Sequence, residues 1–231
     1  MISSALTVHI YFVLDRSGSM QSIASDVIGG FNSFLAAQRA EGTDAVMTLV
    51  QFDSQDSHEV VVDAVTLDKV RDLDAATFVP RGGTPLFDAM GHAIADATIR
   101  AEKRRAAAGQ AEEILFVTFT DGGENQSVEY TKEKVFDLIK RREAAGWTFA
   151  YLGANQDAYA EGAAIGYSPA STQNFAADAP GSAAAFASLT NAVTRRRAKI
   201  RTGAAYDNTD LFEGDKTAEE DLGNRRAPGI L

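Results

Sequence analysis

The run Val8-His9-Ile10-Tyr11-Phe12-Val13-Leu14, closed at once by Asp15-Arg16-Ser17-Gly18-Ser19, limits what this chain can fold into more than any other feature. A nearly continuous apolar run predicts a strand covered on both faces, as in a parallel sheet between two helical layers. A carboxylate and two hydroxyls at alternating positions then leave the carboxyl end of that strand. Asp and Ser are hard oxygen donors. Gathered around one point, they suit a small hard cation, Mg²⁺ above all, rather than zinc or copper.

Two further segments share this character. Ile114-Leu115-Phe116-Val117-Thr118-Phe119-Thr120 is a second buried-strand run, and Asp121-Gly122-Gly123 follows it directly. Between the two runs lies Arg81-Gly82-Gly83-Thr84-Pro85-Leu86, a glycine-rich turn with a threonine hydroxyl just before a helix. Asp15, Ser17, Ser19, Thr84 and Asp121 are therefore candidate metal ligands, bound directly or through water. Mg²⁺ takes about six oxygens and keeps some as water. At least one position is left for water or for a group brought by another molecule.

The rest of the chain alternates strand and helix signals. Ile23, Val27, Phe31, Phe34 and Leu35 share a helical face, which predicts a helix over roughly 22–40. Strands are predicted at Ala45–Phe52 and His58–Val65. The polar turn between them is too short for a parallel crossover, so they form an antiparallel hairpin at the sheet edge. A helix from Leu86 ends in the basic residues Lys103-Arg104-Arg105, and one around Val135, Leu138 and Ile139 ends in Lys140-Arg141-Arg142. Trp147–Leu152 reads as a strand, Asn155–Ile165 as a short helix, and Thr172–Ala176 as a last short strand. Ser182 is expected to cap a final helix carrying Phe186, Leu189, Val193 and Ile200. The expected fold is α/β: a doubly wound, mostly parallel six-stranded sheet in the order 3-2-1-4-5-6, with one antiparallel edge strand and helices on both faces. In such sheets ligands bind at the carboxyl ends of the strands where the order reverses, between strands 1 and 4. Those strands end at Asp15 and Asp121.

The set Asp15-x-Ser17-x-Ser19, Thr84 and Asp121 resembles the metal-ion-dependent adhesion site of the von Willebrand factor type A domain family. Gly83-Thr84-Pro85-Leu86-Phe87-Asp88-Ala89 and Thr120-Asp121-Gly122-Gly123-Glu124-Asn125 extend the resemblance beyond the ligands. It covers roughly residues 5–201, a usual size for one domain. The resemblance implies a Rossmann-like fold and a protein-interaction module, not an enzyme. It implies a bound Mg²⁺, with Mn²⁺ or Ca²⁺ as substitutes, that accepts an Asp or Glu side chain from a partner. Relatives have open and closed forms, which implies that Asp15 and Asp121 exchange direct and water-mediated contact with the metal. Intracellular bacterial relatives that stand alone serve ATPases or stress-response systems, so an ATPase or stress-response component is the kind of partner implied.

Composition narrows the function classes. The chain has 231 residues, a formal net charge of −10 and no cysteine. An acidic surface is unsuited to nucleic acid or to an anionic membrane. No cysteine means no disulfide framework and no thiol chemistry. The apolar N-terminal stretch has no preceding Lys or Arg and no small-residue cleavage site, so it reads as the first strand rather than a secretion signal. A cytoplasmic protein is expected. The domain is drawn over 1–201. Residues 202–231 are expected to form an irregular acidic tail carrying Asp207, Asp210, Glu213, Asp215, Glu219, Glu220 and Asp221.

Several residues have plainer readings. Asp88 lies in the first turn of a helix, where a carboxylate is stabilised by the helix dipole. Asn125 reads as a loop brace and Glu124 as a solvated loop residue. The basic run Arg195-Arg196-Arg197-Ala198-Lys199-Ile200-Arg201 sits at a helix end and reads as structural. His9, His58 and His92 show no zinc-ligand spacing, and neither a phosphate-binding loop nor a hydrolase elbow occurs. No catalytic residue is assigned. Two alternatives follow from the same residues: a Mg²⁺-dependent hydrolase or phosphotransfer enzyme, and self-association in which the tail carboxylates Glu213, Asp215, Glu219 or Glu220 fill the open metal position of another copy.

Overall fold

The computed structural model describes residues 7–108, 112–154, 157–215 and 217–219. Strands β1 (Val8–Asp15), β2 (Ala45–Asp53), β3 (Asp56–Thr66), β4 (Glu113–Thr120), β5 (Thr148–Ala154) and β6 (Thr172–Phe175) form one sheet in the order β3-β2-β1-β4-β5-β6. Every neighbouring pair is parallel except β2 and β3. The expected doubly wound α/β topology is therefore present, with its antiparallel hairpin at one edge.

Among the described residues, α1 (Ala24–Ala40), α2 (Leu86–Ala108), α3 (Lys132–Ala144), α4 (Ala158–Ala164) and α5 (Ala179–Thr202) flank the sheet. Alternate residues of β1 serve two cores. Phe12 and Leu14 pack with Phe31 and Phe34 of α1 and Phe186 of α5. Tyr11 and Val13 face Leu86, Met90 and Ile94 of α2. Each of these large apolar side chains stabilises the fold by about 1.5–3 kcal/mol when fully buried. A central strand has no polar face, which is why β1 reads as an unbroken apolar run.

One expectation needs correction. Asp178, not Ser182, caps α5: its carboxylate accepts from the Gly181 N–H, and Pro180 occupies the first turn, where a missing N–H costs nothing. Ser182 lies one turn inside, with its hydroxyl buried and unpartnered among the described residues. Part of the expected tail is described. Residues 204–215 and 217–219 pack on the domain, and Leu211, Phe212 and Ala218 are buried in the core shared with α1 and α5. The basic run of α5 holds them there. Arg195 donates to the Phe212 carbonyl at 2.7 Å, and Arg196 donates to the carbonyls of Asp207 and Asp210 at 2.7 and 3.1 Å. Lys199 pairs with Glu213 at 2.6 Å. Glu220 and Asp221 lie outside the described residues.

Candidate metal centre

The first site residues are fixed by the end of β1. The Asp15 carboxylate is buried, and one oxygen accepts from the Ser17 N–H at 2.6 Å while the other accepts from the Thr120 hydroxyl at 2.6 Å. Ser17 begins a 3₁₀ turn over Gly18–Ile23 but makes no side-chain capping bond. Its hydroxyl lies 3.0 Å from that of Ser19, and Ser19 donates to Asp121 at 2.6 Å. The two hydroxyls are thus partnered by each other and by Asp121.

The Thr84 loop is stitched to the Asp15 loop through backbone. Gly18 N–H donates to the Gly82 carbonyl at 3.0 Å, and Arg81 N–H donates to the Arg16 carbonyl at 2.9 Å. Gly82 has φ +66°, and a Cβ there would meet Ser54 Oγ at 2.3 Å, so the close approach demands glycine. The Asn125 side chain accepts from Thr84 N–H at 2.8 Å, and Asn125 N–H donates to the Thr84 carbonyl at 3.1 Å. A Cβ added to Gly122 would lie 3.4 Å from Ser19 Oγ and 3.5 Å from Thr84 Oγ1. Both hydroxyls thus border one small space that this glycine leaves open. Asp15, Ser17, Ser19, Thr84 and Asp121, from three separate loops, are brought to one cup. Asp15 is at its floor, and Ser19 is exposed at its mouth.

Electrostatics suit a cation. Burial pushes the Asp15 carboxyl up to about 7, against the hydrogen bonds from Thr120 and Ser17. Burial also raises Asp121, against the bond from Ser19. A divalent cation between these two carboxylates would offset the cost of keeping them charged in a dry site. Among the described residues no three His, Cys, Asp or Glu gather around one point, so a centre here draws on hydroxyls for the remaining donors. Two carboxylates and three hydroxyls are all hard oxygens and fit Mg²⁺ or Mn²⁺.

Supporting residues differ from the sequence reading in places. Glu124 is not a solvated residue: it accepts from Phe87 N–H at the start of α2 at 2.9 Å and from the N–H groups of Gln126 and Ser127. Asp88 accepts from the N–H groups of Val128, Glu129 and Tyr130 and so braces the Asp121 loop. Thr120, Asp53 and Arg16 carried no assignment. Asp53 is fully buried and accepts from Arg16 at 2.8 Å and Arg81 at 2.9 Å, tying both ligand-bearing loops to β2. Thr120 stood one residue from Asp121 at a strand end, which was the only hint; nothing local marked Asp53.

The family model for the von Willebrand factor type A domain matches residues 9–191. The chain belongs to this family. No curated protein matches it. Among solved structures, the pilus adhesin SpaC from Lactobacillus rhamnosus GG is similar at TM-score 0.61 and 16% identity, over 84% of this chain and 31% of the adhesin. The SpRpn10 VWA domain is similar at TM-score 0.53 and 12% identity, over 80% of this chain and 95% of that one. The manganese-loaded TRAP protein of Plasmodium vivax is similar at TM-score 0.52 and 17% identity, over 80% and 73%. The chain spans about a third of the adhesin's length. These likenesses show a shared fold. Von Willebrand factor type A domains are commonly metal-dependent protein-interaction modules. Among the described residues, no helix is long and apolar enough to cross a membrane.

Proposed function

We propose that this von Willebrand factor type A domain binds a protein partner through a divalent cation, Mg²⁺ or Mn²⁺, held by Asp15, Ser17, Ser19, Thr84 and Asp121. The observation that carries this reading is the space beside Gly122, bordered by the Ser19 and Thr84 hydroxyls above a buried Asp15. The manganese in the related TRAP structure supports a divalent ion in such a fold. When bound, the ion supplies an electrophilic coordination position that takes a carboxylate. Asp15 and Asp121 balance its charge; Ser17, Ser19 and Thr84 contribute neutral oxygens and leave it electrophilic. A partner presenting Asp or Glu completes the coordination, and an ATPase or a stress-response component fits the adaptor role.

Binding is favoured over catalysis by the hydrogen bonds in the cup. The Ser17 and Ser19 hydroxyls are partnered by each other and by Asp121, and no imidazole is among their partners. The tail carboxylates are engaged elsewhere: Glu213 with Lys199, Asp215 with Arg195, and Glu219 with Tyr159 and the Asn174 N–H. That occupation speaks against their filling the site of another copy.

Calorimetry with Mg²⁺ and Mn²⁺ tests the centre. One site is expected in the wild type and none in Asp15→Ala. Capture of partners in Mg²⁺ and in EDTA tests the bridge. A partner whose affinity is the same in both would refute it.

A further inference from the structure

Away from the candidate metal centre, helix α2 packs against β1, β2 and β3. A cleft of about 540 Å³ lies in that corner, within the size range of small-molecule sites. Its floor is Tyr11 of β1 and Val50 of β2; its walls are Val60 of β3 and Ile99, Arg100 and Lys103 of α2. Tyr11 is four residues before Asp15, roughly 13 Å along the strand, so the cleft is separate from the candidate metal centre.

Three observations converge on it. First, Val60 and Ile99 are 44% and 50% exposed and face the cleft from opposite sides. Two exposed β-branched side chains across a concavity leave an apolar body unmet. Second, the Tyr11 ring is only 3% exposed and stacks on His9 at 4.0 Å, yet its hydroxyl has no hydrogen-bond partner among the described residues. Third, Arg100 Nε is buried without a hydrogen bond, and Arg100 Nη1 stands 3.7 Å from Asp63, beyond hydrogen-bond reach.

Two cations at the cleft lack a hydrogen-bonded carboxylate. Arg104 is engaged by Glu112 at 2.8 Å, and Asp96 by His58 at 2.9 Å. Lys103 makes no ion pair among the described residues, and Arg100 Nη1 stands 3.7 Å from Asp63.

We propose that this cleft binds a small amphiphile with one carboxylate and an apolar aryl or alkyl body. Arg100 and Lys103 hold the carboxylate, the Tyr11 hydroxyl donates to it, and Val50, Val60 and Ile99 enclose the body. This does not rest on the metal reading. The test is titration of 4-phenylbutyrate, 4-phenylbutanol and butyrate by calorimetry in EDTA, so that no metal can capture a carboxylate.

Saturable binding is expected for 4-phenylbutyrate, with the alcohol and the short acid each about tenfold weaker or worse. Tyr11→Phe, which keeps the ring, and Arg100→Gln are each expected to weaken 4-phenylbutyrate about tenfold. Asp15→Ala is expected to bind it as the wild type does. Absence of saturable binding, equal binding of the alcohol, or affinity unchanged in both cleft variants would overturn the proposal.

Discussion

Single atoms decide the candidate metal centre. Gly122 has an ordinary backbone conformation, so alanine fits there without strain, but the added methyl would sit between the Ser19 and Thr84 hydroxyls. Gly122→Ala is expected to melt within a degree or so of the wild type and to lose Mg²⁺ binding; thermal unfolding with and without Mg²⁺ checks both. Thr120 holds Asp15 in place and also accepts from Gly122 N–H at 3.1 Å. Thr120→Val removes both bonds and leaves Asp15 short of one donor, which should weaken Mg²⁺ about tenfold or more by calorimetry. The five candidate ligands stood out because four follow an apolar strand run and Thr84 lies in a glycine-rich turn just before a helix. Thr120 and Asp53 were not, because their partners lie far away in the sequence and no local pattern encodes such pairs.

At the scale of elements, loops are held by carboxylates that bind backbone. Asp53 ties β2 to both ligand-bearing loops through Arg16 and Arg81. Asp53→Asn would leave Arg16, which is 5% exposed, with the partly exposed Glu59 carrying its charge pairing. The expected cost is about 3 kcal/mol, read by urea unfolding, with weaker Mg²⁺ binding alongside it. The start of α5 offers a contrasting pair. Asp178→Ala should cost about 1 kcal/mol, as loss of a helix cap does. Ser182→Ala should be neutral or slightly stabilising, because the hydroxyl it removes is buried without a partner. Ser182 fitted a capping pattern by residue type. The Pro180 ring, which favours the first helical turn, moved the start of the helix ahead of it.

For the whole molecule, the closing contacts are long-range charge and apolar packing around α5. Arg197 is fully buried and bonds to Asp44 at the start of β2 and to the Gly42 carbonyl. Burial alone would raise the Asp44 carboxyl, but the hydrogen bond and charge of Arg197 outweigh it and hold the carboxyl below its ordinary value. Such a group contributes stability that is fully present above its unfolded value of 3.8 and is lost as pH falls through its lower folded value. Asp44→Asn is therefore expected to melt well below the wild type at pH 7, with the gap closing below that value; melting curves across pH would show it. Phe212→Ala should cost about 3–5 kcal/mol, since that side chain is fully buried although it lies in a segment that reads as a tail. The sequence by itself placed the strands, the antiparallel edge and five candidate oxygen donors, because apolar periodicity and the residues that end each run are local properties. Only the tertiary structure decided that Leu211, Phe212 and Ala218 belong to the core, that Asp53 and Glu124 are braces, and that a cleft opens between α2 and β3. Those outcomes depend on which distant backbone and charged groups come within hydrogen-bond reach, and folding alone sets those distances.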